Sequence, residues 1–417
     1  MGRGHPAVVS ALWRGRALAF LGVVLVAFSL RSAVASLSPI LAEIDSDIGV
    51  PSWVAGLIGA APPVCFAVFG VVTPVLERRF GLQRLAVAAM VIAALALLGR
   101  ALAPEAGTLL AATTVLFAAI SIGNVVLPPL IKTYFPDRVG TMTSIYSTML
   151  AIAAFVPPLV AVPIADTAGW RLSLGLWSVF AVMAVVPWVA TLRRSRRTAA
   201  AADPADAVEP PPPPRVLGRL FRLPLAWAIA VTFAVSASSV YASFAWLPII
   251  LVDLAGVSHS EAGALLALFG AMGLPWSILV PLVITRWRRL GVIYAVATTA
   301  GLVAVAGLLF APSAAVVLWV VLLGTPQMLF PAALVFMQLK TRTHEGAVAL
   351  SGFAQSVGYA VAAVFPISFA LLSEATGDWT GPLMMIGVLM LAAIPAGIVV
   401  TRSRTIEDEW EQRRGAW

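Results

Sequence analysis

The stretch ALAFLGVVLVAFSLRSAVASLSPIL, residues 17–41, decides the fold. About 20 apolar residues cross the hydrocarbon core of a bilayer as a helix, and this run is long enough. One charged side chain, Arg31, stands inside it. A charge at that depth costs roughly 2.5–3.5 kcal/mol on insertion scales, so such residues face a cavity and do work there. Counting from Ala17 puts Arg31 about 21 Å along the axis, somewhat past the midplane. The alternative is that its long stem snorkels outward or its head bonds neighbouring carbonyls.

The rest of the chain is of the same kind. Hydrophobic residues make up 60% of the 417 and charged ones 11%, which excludes a water-soluble globule. Apolar runs between punctuation predict twelve spans: 17–41, 52–76, 85–103, 108–131, 141–164 and 172–192, then 225–251, 260–284, 291–311, 314–338, 346–372 and 379–401. The expected fold is an all-α integral membrane protein. An even number of spans puts both termini on one side. Of the 27 lysines and arginines, all but Arg31, Arg100 and Arg171 fall in the tails and alternate loops of that side. Basic residues mark the cytoplasmic face, so both termini are expected in the cytoplasm, with the protein in the plasma (inner) membrane. The same rule accounts for the net charge of +8, and no nucleic-acid partner is inferred from it.

Arg14 and Arg16, the apolar stretch and Ala33-Val34-Ala35 imitate a secretory signal and its cleavage site. Cleavage would leave eleven spans and break the charge pattern, so the run is read as the first span. The single cysteine, Cys65, excludes a disulfide framework and a multi-cysteine metal site. His5, His259 and His344 fall in loops or the tail, so neither metal nor cofactor is expected.

RRSRRTAAAADPADAVEPPPPPR, from Arg193 to Arg215, interrupts the pattern with basic ends and a Pro/Ala/Asp middle. Such a segment behaves as a semi-extended linker. The expected organisation is a tail 1–16, a six-helix bundle 17–192, a linker 193–224, a second six-helix bundle 225–401 and a tail 402–417. The halves are nearly equal in length. VPSWVAGL at Val50–Leu57 is echoed by VSHSEAGALL at Val257–Leu266, and Gly140 by Gly346 at nearly the same offset. Duplicated six-helix halves place a substrate path at their interface near the midplane.

Several blocks carry a family resemblance. Leu30-Arg31 is followed by Ser36-Leu37-Ser38-Pro39-Ile40-Leu41-Ala42-Glu43-Ile44, and GNVVLPPLIKTYFPDRVG occupies Gly123–Gly140. Then come MTSIYS at Met142–Ser147, YASFAWLP at Tyr241–Pro248 and SGFAQSVGYAVAAVFP at Ser351–Pro366. These resemble the major facilitator superfamily and, within it, the cyanate and nitroimidazole transporter family. Ser32 departs from that family's usual proline, and Glu77-Arg78-Arg79-Phe80-Gly81 is a reduced form of the superfamily's loop signature. The resemblance implies a secondary transporter working by alternating access on a small polar solute, an anion or a nitro-heterocycle.

Arg31 is then the first candidate anchor, because a guanidinium offers a planar fork of donors to carboxylate, nitro or cyanate groups. Asn124 in the fourth span, Tyr146 in the fifth, Tyr241 and Trp246 in the seventh, Gln327 in the tenth, and Gln355 with Tyr359 in the eleventh are the further candidates for solute binding. Gln355 and Tyr359 are four residues apart and share a helix face. Buried amides and phenols orient ligands with a few placed hydrogen bonds, and they also glue helices together. Pro39, Pro128, Pro129 and Pro248 are candidate hinge or gate positions, since proline frees carbonyls and bends helices.

No Asp or Glu is predicted in the middle of a span, whereas proton-driven carriers commonly use embedded carboxylates. Transport is therefore expected to be passive, or to use a solute that brings its own proton as a neutral acid pair. A broader drug or metabolite exporter is the alternative within the same class. A receptor lacks a sizeable soluble domain here. An enzyme lacks a nucleophile–base–acid set or a phosphate loop within the spans. The expected partners are the lipid bilayer and a small-molecule solute, and repeat-built carriers of this kind work as monomers.

Overall fold

The computed structural model describes residues 16–135, 137–199, 218–287, 290–402 and 405–414. Most of the expected tail 1–16 and the middle of the linker 193–224 lie outside the described residues. Those described are helical, with no strand among them. Twelve helices are long and apolar enough to cross a membrane, and each predicted span has its counterpart. The end holding Arg16, Arg79 and Arg342 is called the basic end below, and the opposite end the distal end.

Span 1 differs from its prediction. It runs from Ala17 to Ile48, not to Leu41. A helix Ala17–Ala35 gives way to a 3-10 turn, Ser38–Ile40, and resumes as Leu41–Ile48. Pro39 sits inside that turn and cannot donate a backbone hydrogen bond, which explains the break. The extension moves Arg31 to near the middle of the span. It also places Glu43, Asp45 and Asp47 on the last helical turns at the distal end rather than in a loop.

Spans 8 and 10 are broken side by side. Span 8 is interrupted at Met272, between helices His259–Ala271 and Gly273–Leu282. Span 10 contains a 3-10 turn, Thr325–Met328, with Pro326 at its start. Gln327 on that turn donates to the Phe269 carbonyl at 2.7 Å, satisfying a backbone acceptor beside the break in span 8.

The two halves repeat one fastening. At the distal end of span 1, Asp47 accepts from the Trp170 indole at 3.0 Å and pairs with Arg171 at 2.5 Å. At the distal end of span 7 (Pro224–Ala255), Asp253 accepts from the Trp379 indole at 2.8 Å. In each half the end of the first helix is thus tied to the start of the sixth by a charge-assisted bond.

The halves meet closely from the distal end to the midplane. A Cβ on Gly56 would lie 2.9 Å from Ala370 Cβ, and one on Gly59 2.8 Å from Ala245 Cβ. One on Gly270 would lie 2.8 Å from the Ala154 carbonyl oxygen, and one on Gly263 3.0 Å from that of Pro158. Spans 2 and 11, and spans 5 and 8, approach this closely because glycine omits the side chain. Ser38 adds a hydrogen bond across the seam, donating to the Ala245 carbonyl at 2.8 Å.

The expected tail 402–417 contains a docked helix, Ile406–Arg414. Glu407 is fully buried. It accepts from the backbone N–H of Arg342 (3.0 Å) and Thr343 (3.1 Å) and from the Thr343 hydroxyl (2.9 Å). It therefore neutralises the N-terminus of the span 11 helix, where unpaired N–H groups and the helix dipole favour an anion. Glu409 likewise accepts from Leu225 N–H at the start of span 7.

Candidate functional site

Arg31 is half-buried, midway along span 1. Its guanidinium carbon lies 5.9 Å from the ring centre of Tyr241 and 6.0 Å from that of Phe244, both on span 7 of the other half. A cation over an aromatic face is attracted by about 0.5–2 kcal/mol, more when desolvated. No carboxylate pairs with Arg31 among the described residues; Tyr241 and Phe244 flank its charge.

Around that charge an aromatic wall is built from three helices. Tyr241 meets Tyr359 of span 11 edge to face at 6.3 Å. Phe66 of span 2 stacks on Tyr359 at 5.2 Å and faces Tyr241 at 6.4 Å. Phe233 closes on Tyr359 from behind at 5.0 Å. On the near side, the Tyr146 hydroxyl of span 5 donates to Asn124 Oδ1 of span 4 at 2.9 Å. Spans 2, 7 and 11 thus build an aromatic wall whose Tyr241 faces the Arg31 guanidinium, and spans 4 and 5 are joined through Asn124 and Tyr146.

The other candidates are placed differently. Gln355 lies one turn from Tyr359 toward the basic end and donates to Ser351 Oγ at 2.8 Å. Gln327 is engaged with the break in span 8, as above. Trp246 is buried, donates to the Pro366 carbonyl at 2.9 Å, and packs on Trp379 with ring centres 5.7 Å apart. It belongs to the distal seam. Pro39, Trp246 and Pro248 line a distal cavity of about 300 Å³ together with Asp45, Asp253 and Trp379. Pro128 and Pro129 lie within the continuous helix Ala106–Tyr134 near its basic end.

Sequence reasoning missed Arg100. It lies in the last turn of its helix, yet it is only 1% exposed. Its Nη1 donates to the Ala33 carbonyl at 3.0 Å, at the end of the helical segment that carries Arg31. Helical side chains lean toward their N-terminus, and span 3 (Leu82–Ala101) starts at the basic end, so Arg100 leans back into the bundle. The signal was available: Arg100 stands at the distal end, against the positive-inside pattern. Phe66 and Phe244 were also missed, because phenylalanine is unremarkable in an apolar span.

This arrangement, twelve spans in two halves with a polar site at their seam, defines a solute carrier. The chain belongs to the Major Facilitator Superfamily, whose family model matches residues 20–366. It is 29% identical to the uncharacterized transporter YycB of Bacillus subtilis (strain 168), over 95% of this chain and 96% of that one. It is 29% identical to the 2-nitroimidazole transporter of Escherichia coli (strain K12), over 94% and 98%. Against the cyanate transport protein CynX of the same organism it is 24% identical, over 88% and 94%. In structure it is similar to a bacterial homolog of the human lysosomal transporter Spinster in an inward-facing and occupied conformation. The TM-score is 0.69, with 16% identity and 93% of both chains covered. The protein is a multi-pass membrane transporter of a small solute and not an enzyme.

Proposed function

We propose that this carrier moves a small anion of the cyanate type, or a nitro-heterocycle, by alternating access, with Arg31 as the solute anchor. The observation that carries this is the Arg31 charge at mid-membrane, without a carboxylate partner among the described residues and flanked by Tyr241 and Phe244 of the opposite half. A solute bound there would be gripped by both halves at once, which is the geometry alternating access requires. Cyanate and nitro groups present electron-rich oxygens suited to the guanidinium fork. The aromatic wall of Phe66, Tyr241 and Tyr359 suits a flat heterocycle. The named substrates of two relatives support the same chemistry.

Asn124 and Tyr146 orient the solute on the near side, and Gln355 lies on its way to the basic end. The halves 17–192 and 225–401 rock about the site, with Pro39 and Pro248 at the distal gate and Pro128 and Pro129 bending span 4. Both termini face the cytoplasm of a plasma-membrane monomer, as the charge distribution indicates. With no embedded carboxylate at the centre among the described residues, any coupled proton travels on the solute. The experiment is flux into proteoliposomes holding the purified chain, with cyanate and 2-nitroimidazole as solutes. Saturable uptake of either, lost in Arg31→Gln, is expected. Saturable uptake retained in the variant contradicts the anchor role.

A further inference from the structure

Beyond Arg31, the bundle holds a second buried guanidinium with spare donor capacity. Arg100 is 1% exposed, and no carboxylate pairs with it among the described residues. Only its Nη1 bond to Ala33 is made; its Nε is buried without a partner. A buried charge is retained only where something compensates it, and an unpaired buried donor is costly. The other distal arginine shows the contrast, since Arg171 is paired with Asp47.

Arg100 lines a cavity of about 30 Å³ on the distal side of Arg31. The wall comes from both halves: Ala33, Ser38 and Phe117 on one side, Tyr241 and Phe244 on the other. Tyr241 and Phe244 are the same rings that face Arg31, so both guanidinium groups lie by one pair of aromatic rings. Ala33 follows Arg31 by two residues, about 3 Å of helix rise. By the measure that one water needs about 10–15 Å³, the cavity holds about two water-sized groups, the scale of a two- or three-atom anion. It is too small for a heterocycle.

We propose that Arg100 forms a second anion station, separate from Arg31, which holds a small linear anion on the distal side of the main site. The station takes its ligand through Nε and the remaining guanidinium edge, while Nη1 keeps the Ala33 carbonyl. It rests on the anion-carrier reading of Arg31 and adds a step to it: an anion passes from one arginine to the next along span 1. It also favours the cyanate-sized solute over the nitro-heterocycle at this station.

The test uses the full chain in detergent with thiocyanate, a linear three-atom anion whose C≡N stretch reports its surroundings. Difference infrared spectra of the parent are expected to show two bound bands. Arg31→Gln removes one and Arg100→Gln the other. Because Arg100→Gln also removes the bond to Ala33 and can unfold the bundle, Ala55→Val supplies an independent arm. Ala55 lines the cavity, and two added methyl groups fill it with both arginines in place. Ala55→Val is expected to lose the Arg100 band and keep the Arg31 band. A single parent band, lost in Arg31→Gln and untouched by Ala55→Val, overturns the station and leaves Arg100 as a cap on span 1 while the anion-carrier reading stands. No bound band in any protein overturns both.

Discussion

The guanidinium of Arg31 lies 5.9 Å from the ring centre of Tyr241, across the seam between the two halves. With Arg31 as the proposed solute anchor, this contact between a charge on the first span and an aromatic face on the seventh would couple solute binding to the relative position of the halves.

Replacing Tyr241 therefore separates face from hydroxyl. Tyr241→Phe keeps the ring over Arg31 and is expected to change solute affinity by less than about threefold, while Tyr241→Ala removes the face and weakens it about 3- to 30-fold, the span of 0.5–2 kcal/mol. Equilibrium binding of the solute to the purified variants checks this. Equal losses in both variants would assign the effect to the hydroxyl.

The distal seam depends on missing side chains. Gly270→Ala puts a methyl 2.8 Å from a backbone carbonyl that cannot swing away. Overpacking of this kind costs about 1–3 kcal/mol and is expected to favour the state in which the distal ends part. Spin labels at Ser52 and Val252, which line the distal cavity from opposite halves, should report a longer distance in Gly270→Ala. Gly387→Ala, whose added Cβ comes no nearer than 3.7 Å to Val305, should leave it unchanged.

Glu407→Gln leaves the capped N–H groups of Arg342 and Thr343 without their anion in a buried place. The expected loss is about 1–3 kcal/mol of stability, seen as a lower melting temperature in detergent. Glu411→Gln breaks only an exposed pair with Arg342. It should shift melting much less than Glu407→Gln, because exposed bridges contribute little.

At the basic end Arg16 pairs with Asp137 at 2.5 Å, joining the start of span 1 to the loop after span 4. The Arg16 hydrogen bond holds the Asp137 carboxyl below the usual carboxylate range. A lowered folded-state value means that this stabilisation is fully present above the ordinary Asp value near 3.9 and is lost as pH falls through the lowered one. The melting difference between the parent and Asp137→Asn should therefore be constant from pH 8 to 5 and shrink below pH 4.

What was legible in the sequence is what bilayer physics imposes. Twelve apolar runs and one intramembrane arginine follow from the cost of polar groups in lipid, so the spans and Arg31 were visible directly. Tyr241, Tyr359, Asn124 and Tyr146 stood out because polar groups are rare in such runs, and the structure sets Tyr241 against Arg31, Tyr359 against Tyr241, and Tyr146 on Asn124. What stayed hidden depends on direction. Arg100 reads as a helix-end residue until span 1 is seen to break against it. Ile406–Arg414 reads as a charged tail, because nothing local announces that Glu407 will meet the start of span 11. Trp246 and Gln327 were visible as polar groups, but only packing shows that their donors go to backbone carbonyls of neighbouring helices.

The most direct measurement is the thermal shift of the purified chain with cyanate, thiocyanate and 2-nitroimidazole, set beside Arg31→Gln. A ligand that binds the folded state raises its apparent stability by mass action. Charge-assisted bonds of about 1.5–3 kcal/mol correspond to roughly 10- to 150-fold in affinity. The account predicts a concentration-dependent rise in melting temperature for the parent, with the variant needing at least tenfold more ligand for the same rise. Equal shifts in both proteins would contradict the claim that Arg31 anchors the solute.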